Sequence, residues 1–178
     1  VDRVVIVPYD PLWVSEYERE RRRLLAAFGE VAIGSEHVGS TAIPGLRAKP
    51  VVDIMVGVRG LGEARSRVAT IEALGYAYVP AFEQQIPERL FFRRGEPRTH
   101  HLHVVEPMSA FWEKQLLFRD YLRVRHDVAE RYGQLKDDLA SKHGHDRDGY
   151  TRAKTDFILA VLEEARAWRT NGQRQLDS

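Results

Sequence analysis

Apolar residues along the chain follow two periods, and the switch between them divides the sequence into a strand-rich half and a helical half. "VVIVPYDP" predicts a short buried strand, Val4 to Val7, followed by Asp10 as the cap of a helix with Pro11 at its first position. Trp13, Tyr17, Leu24 and Phe28 recur at helical spacing, so this helix turns one stripe inward until Gly29 ends it. A strand is expected from about Val31 to Val38, and "STAIPGL" reads as a turn. In "PVVDIMVGV" side chains alternate, which puts Val52, Ile54 and Val56 on one face and Val51, Asp53 and Met55 on the other. Ala64, Val68, Ile71 and Leu74 predict a helix closed by Gly75, and "YAYV" predicts a strand. "RLFFRR" and "THHLHVV", on either side of "GEPR", read as an antiparallel hairpin, for a sheet of five or six strands. From Ser109 onward three helices are expected. Phe111, Trp112, Leu116, Leu117 and Tyr121 mark the first, Val128, Tyr132, Leu135 and Leu139 the second, and Tyr150 to Ala165 a third capped by Asp148. Strands first and helices later argue for an α+β fold with the helical half lining one side of the sheet.

The 178 residues suit one domain, expected to run from 1 to 178, without internal repeat or linker. With 43% hydrophobic and 30% charged residues the balance is that of a globular protein, and only the polar tail from Thr170 to Ser178 is expected to fray. Cysteine is absent, which excludes disulfides, thiolate metal sites and a thiol nucleophile. No apolar run approaches the roughly 20 residues that span a bilayer, and no basic-then-hydrophobic leader opens the chain, so the expectation is a cytoplasmic protein without membrane partners. A net charge of +1 argues against long nucleic acid as a partner. In "ERERRRLL" the arginines alternate with Glu18 and Glu20, which reads as a solvated helix face.

Three features carry candidate chemistry. Asp53 interrupts an apolar strand, and a buried carboxylate requires a partner, a hydrogen bond or a cation; a backbone turn, Arg47 or Lys49 would serve, as would a site. His101 and His103 project from one strand face, a geometry for metal ligation, proton transfer or a plain polar patch. "GSTAIPGLRAKP" offers the backbone of Gly39, the hydroxyls of Ser40 and Thr41, and the cations Arg47 and Lys49, a set suited to phosphate. Further basic groups are Arg89, Arg98, Arg119 and Lys154, the last one helical turn after Tyr150, while Phe111 and Trp112 read as core.

A Gly-Ser turn, a spacer of about a dozen residues and an aspartate in a hydrophobic strand resemble the signature of the nucleotidyltransferase superfamily with the DNA polymerase beta-type fold. More closely, "IVPYDPLW", "EHVGSTAIPGLRAKPVVDIMVGV", "IEALGY", "IPERLFFRR", "THHLHVVE", "LLFRDYLR" and "YTRAKTDFI" resemble, in order, the successive motifs of the GrpB-like family, a branch of that superfamily. The resemblance runs from about Val4 to Val161, and it extends to a module fused behind dephospho-CoA kinase in some proteins. It implies a mixed sheet of nucleotidyltransferase type with a helical C-terminal half. It also implies a nucleotide or phosphorylated small molecule as ligand, with transfer of a nucleotidyl group to a small acceptor. Gly39, Ser40, Thr41, Lys49, Arg89, Tyr150 and Lys154 would then bind phosphate or nucleotide, and Asp53, His101 and His103 would hold a divalent metal or move a proton. The superfamily pattern has a second carboxylate two residues after the first, where this chain has Met55, and a thioether is no ligand for Mg²⁺. One carboxylate with two imidazoles suits Mn²⁺, Fe²⁺ or Zn²⁺ better than Mg²⁺, or a site where cations neutralise phosphate directly. A module that binds without catalysing, and a metal-dependent phosphoesterase, are the other activities compatible with these residues.

Overall fold

The computed structural model describes residues 4–143 and 145–176. Its centre is a mixed five-stranded sheet: β1 (Ala32–Val38), β2 (Val52–Val58), β3 (Tyr76–Tyr78), β4 (Arg89–Arg94) and β5 (His100–Val105), in the order β1-β2-β5-β4-β3. β2 and β5 run parallel, and every other neighbouring pair is antiparallel. The expected hairpin is β4–β5, with Phe91 opposite His103 and Arg93 opposite His101.

The period-two reading of β2 holds on both faces. Val52, Ile54, Val56 and Val58 pack with Leu90, Phe92, Leu102 and Val104 beneath α1 (Leu12–Phe28). Trp13, Tyr17, Leu24 and Phe28 form the inward stripe of α1, and Asp10 Oδ1 accepts a hydrogen bond from the Leu12 amide at 2.9 Å. Met55 lies on the opposite face, packed with Val38, Val105 and Phe111 under α4 (Ala110–Val124). α4, α5 (His126–His143) and α6 (Arg147–Leu176) pack on one another through Leu117, Tyr121, Leu122, Tyr132 and Leu162, and this second apolar cluster takes in Ile43 and Leu46 from the connection between β1 and β2. The helical half therefore caps the Asp53 face of the sheet at one end and leaves the rest of that face open.

Five local expectations are corrected. Val4–Val7 forms no strand; Val7 makes one pair of hydrogen bonds with Ala48, at 2.9 and 3.0 Å, and Val5 points to solvent. The helix expected through Leu74 is two short ones, α2 (Leu61–Arg65) and α3 (Val68–Glu72), because the Ser66 hydroxyl donates to the Glu63 carbonyl at 2.6 Å and competes with the helical ladder. Asp146, rather than Asp148, caps α6, accepting from the Gly149 amide at 2.8 Å. α6 continues to Leu176 where a frayed tail was expected, while residues 177 and 178 lie outside the described residues. Glu20 is not on a solvated face: fully buried, it accepts hydrogen bonds from Arg23 and Arg94 at 2.6 Å and from the Tyr76 hydroxyl at 2.9 Å, tying α1 to β3 and β4. Among the described residues no helix is long and apolar enough to cross a membrane.

Candidate functional site

Asp53 sits in β2 directly beside His101 of the parallel strand β5, with His103 one side-chain step further along the same face. That register brings both imidazoles to one carboxylate oxygen: His101 Nδ1 lies 3.1 Å and His103 Nε2 3.2 Å from Asp53 Oδ1. Arg47 is not its salt-bridge partner, since it is ion-paired with Asp137. Burial by itself would raise the Asp53 carboxyl, but the hydrogen bonds from His101 and His103 outweigh it and hold the group well below the usual carboxylate range.

The chemistry of the partners fixes the protons. Arg89 Nη1 lies 3.3 Å from His103 Nδ1, and a guanidinium can only donate, so Nδ1 accepts and the His103 proton sits on Nε2, facing Asp53. Burial lowers the His103 pKa against the pull of Asp53, in keeping with a neutral ring. An ionised carboxylate only accepts, so His101 donates through Nδ1. Its Nε2 is buried and makes no hydrogen bond within the protein. Asp53 thus orients the His101 ring through Nδ1 and leaves Nε2 without a partner, the arrangement of a general base.

The turn before β2 is built around this carboxylate. Gly39 has φ +71°, and a Cβ placed there would lie 2.6 Å from Asp53 Oδ2. Only glycine lets the chain cross so close to the aspartate. Ser40 begins a single 3-10 turn, Ser40–Ala42, and is hydrogen-bonded to the Tyr132 hydroxyl, whose pKa burial pushes up to about 12. Thr41 is buried and its hydroxyl lies 2.9 Å from His37 Nε2, so its side chain holds the turn from inside. Burial keeps His37 neutral, its pKa pulled down to about 4.

A cleft of about 800 Å³ opens over Asp53, His101 and His103. Lys49, Arg89, Arg93, Arg98, Lys136, Arg152 and Lys154 line it, against two carboxylates, Asp53 and Asp148. Every residue singled out in the sequence for phosphate binding is on this wall except Gly39, which lies behind Asp53, and Arg47 and Arg119, which are elsewhere. Arg119 is bound to Glu36, Asp120 and the His37 carbonyl, and so braces α4 against β1. Arg89 packs its guanidinium on Phe91 and Phe111, 4.8 and 5.2 Å from the ring centroids, and burial lowers its pKa. Phe82, Ile86 and Phe91 give the cleft one apolar wall.

Lys136 was not foreseen from the sequence. It occupies the inward stripe of α5 beside Tyr132, is fully buried, and donates to the Arg47 carbonyl. A lysine at a core position of a helical pattern was the available signal, one register step from the apolar residues.

Among the described residues no three His, Asp or Glu side chains are arranged to hold a metal ion. His103 illustrates why: one ring nitrogen accepts from Arg89 and the other donates to Asp53, so it has no lone pair left for a cation. The donor set of Asp53, His101 and His103 thus does not fit a bound metal as it stands.

A sequence model of the family described as GrpB protein matches residues 3–164. The chain belongs to the GrpB family. It is 38% identical over 171 residues to a UPF0157 protein of Pseudomonas aeruginosa, covering 93% of this chain and 69% of that one. The crystal structure of conserved protein GrpB from Enterococcus faecalis superimposes with a TM-score of 0.84 at 34% identity, covering 92% of this chain and 99% of that one. A dephospho-CoA kinase of Mycolicibacterium paratuberculosis is 28% identical over 189 residues, which is 93% of this chain but only 46% of the kinase. The expected likeness to part of a dephospho-CoA kinase is therefore found. These GrpB relatives carry the family and the α+β fold; the kinase's printed activity belongs to a protein of which this chain spans less than half.

Proposed function

We propose that the cleft binds a nucleotide and that the chain, on a sheet of nucleotidyltransferase type, transfers the nucleotidyl group to a small acceptor. The observation that carries this reading is the meeting, in one cleft, of an Asp53-oriented His101, whose buried Nε2 has no partner in the protein, and seven cationic side chains. Phosphates lie along Ser40, Lys49, Arg89 and Lys154, where charge-assisted hydrogen bonds replace their hydration. An acceptor hydroxyl within reach of His101 Nε2 attacks the α-phosphorus. Its proton passes to Nε2, a P–O bond forms, and the bond between the α-phosphorus and the bridging oxygen breaks, so that pyrophosphate leaves with the electron pair. Asp53 acts as a positioning residue, holding His101 in the Nδ1–H tautomer and stabilising its imidazolium once the proton has arrived. His103 and Arg89 in turn hold Asp53.

A second reading, a module that binds the same ligand and catalyses nothing, is favoured by Met55, fully buried in an apolar cluster where the superfamily pattern places a carboxylate. Thermal unfolding with each nucleoside triphosphate, followed by assays for pyrophosphate and phosphate, separates the two. A nucleotide at 100 times its dissociation constant adds about 2.7 kcal/mol, several degrees in melting temperature, for either reading. Pyrophosphate release then supports transfer, stabilisation without release supports the binding module, and phosphate release in place of pyrophosphate supports a phosphoesterase. No stabilisation by any nucleotide contradicts the proposal.

A further inference from the structure

The two ends of the cleft differ in chemistry. At one end the Lys49 and Lys154 ammonium groups lie 4.2 and 4.6 Å from the centroid of the Tyr150 ring, where α6 meets the connection between β1 and β2. Asp53 on β2 and His101 and His103 on β5 stand in the middle, and on the next strand, β4, the wall turns aromatic. Phe91 is paired with His103, its ring centroid 5.2 Å from that of His103 and 5.3 Å from that of His101. Phe82 meets Phe91 edge to face at 5.3 Å, and the Arg93 guanidinium lies 4.9 Å from the Phe82 centroid and 5.6 Å from that of Phe91. Planar groups therefore run without a break from His101 to Phe82.

Phe82 is held in this row from outside the cleft. It belongs to the 3-10 turn Pro80–Gln84, in the connection between β3 and β4, and the Val79 amide before that turn donates to the Phe91 carbonyl at 2.9 Å. Its neighbour Glu83 is bound by Arg65 at 2.6 Å and accepts from the Tyr78 hydroxyl, and Glu88 at the end of the connection accepts from the Phe111 amide at 2.9 Å. Phe91 is buried as the back of the wall, whereas Phe82 and Ile86 are only half-buried where they line the cleft. Apolar surface left uncovered forgoes the stabilisation that its burial would bring, and a planar ligand restores it.

We propose that Phe82, Ile86 and Arg93 form a nucleobase subsite, in which the base stacks on the Phe82 ring and the Arg93 guanidinium. The inference rests on the nucleotide reading and adds how the ligand lies: base over β4, α-phosphorus beside Asp53 and His101, and the rest of the triphosphate toward Lys49 and Lys154. A nucleoside triphosphate carries its apolar plane, its reacting phosphorus and its terminal charge in that same order. The reverse orientation would set polyphosphate against phenylalanine and the base among ammonium groups, and would lose both matches. Every base has a π-face, so stacking of this kind admits all of them and makes Phe82 a determinant of nucleotide over bare polyphosphate rather than of one base over another.

The test is calorimetric titration of the full chain with the ribonucleoside triphosphates and with inorganic tripolyphosphate, for the wild type, Phe82→Leu and Phe82→Tyr. The wild type should bind nucleoside triphosphates more tightly than tripolyphosphate. Phe82→Leu should weaken the nucleotides by about tenfold or more, the scale of one lost base stack, and leave tripolyphosphate unchanged, while Phe82→Tyr, which keeps the ring, should bind both as the wild type does. In case Phe82→Leu does not fold, nuclear Overhauser contacts in the wild-type complex give the second readout, between the ring protons of the base and those of Phe82. Equal losses for nucleotide and tripolyphosphate in Phe82→Leu, or a bound base without contacts to Phe82, overturn the proposal. Nucleotides bound no more tightly than tripolyphosphate by the wild type overturn this subsite and leave the nucleotide reading standing. Failure of every nucleoside triphosphate to bind overturns both.

Discussion

Replacing Gly39 by alanine should cost about 3 kcal/mol of stability, on the order of 10 °C in melting temperature for a chain of this length. Two effects add. The backbone at Gly39, with φ 71° and ψ −172°, lies in a region that is essentially confined to glycine and costs other residues about 1–3 kcal/mol. The new Cβ would also sit 2.6 Å from Asp53 Oδ2, so the carboxylate must move or the turn must open, with an overpacking cost of about 1–3 kcal/mol. Gly34→Ala serves as the control, because a Cβ there meets nothing within 4 Å and φ is not positive. It should change the melting temperature by no more than a degree or two. Equal behaviour of the two variants would mean that the turn is not built against the carboxylate.

The second large effect concerns Asp53→Asn. The substitution keeps the shape and removes the charge that both imidazoles address, so His101 no longer holds its Nδ1–H tautomer and its imidazolium loses a counter-charge. Turnover should fall by about three to four orders of magnitude, the usual scale for losing an orienting carboxylate, while nucleotide binding changes far less because the cations of the cleft remain. Stability offers an independent reading. The Asp53 pKa is depressed in the folded state, so its contribution is fully present above the ordinary aspartate value of about 3.9 and is lost as pH falls through the lower folded value. Unfolding at pH 7 and at pH 3 should therefore differ more in the wild type than in the variant. A variant with undiminished turnover would remove Asp53 from the mechanism.

How much of this was legible in the sequence depends on whether local pattern or tertiary contact decided the outcome. The alternation in "VVDIMVGV" put Asp53 and Met55 on one face without ambiguity, because a strand buried on both faces still alternates between two different neighbours, here α1 and α4. The pairing of His101 with Asp53 followed from strand adjacency, which spacing alone could suggest only through the family resemblance. Glu20 was misread since helical charge spacing looks the same whether the face meets water or, as here, Arg94 and Tyr76 from the far edge of the sheet. Val4–Val7 looked like a strand because its residues are β-branched, but no sheet edge is available to pair more than Val7. Arg119 looked like a phosphate ligand and proved to brace Glu36 and the His37 carbonyl, a use of arginine that composition cannot separate from anion binding. Lys136 was invisible for the opposite reason: its role comes from the packing of α5 against α6 and the Arg47 carbonyl, nearly ninety residues away in sequence.

Asp53 and Arg89 sort the two histidines into different tautomers and leave His101 Nε2 without a partner in the protein. Long-range ¹H–¹⁵N spectra of the histidine rings measure this directly. The account predicts a proton on Nδ1 of His101 and on Nε2 of His103 in the free protein near pH 8, and a shift confined to His101 Nε2 when a non-hydrolysable nucleoside triphosphate is added. Two rings in the same tautomer, or a His101 Nε2 resonance that the nucleotide leaves unmoved, would contradict it.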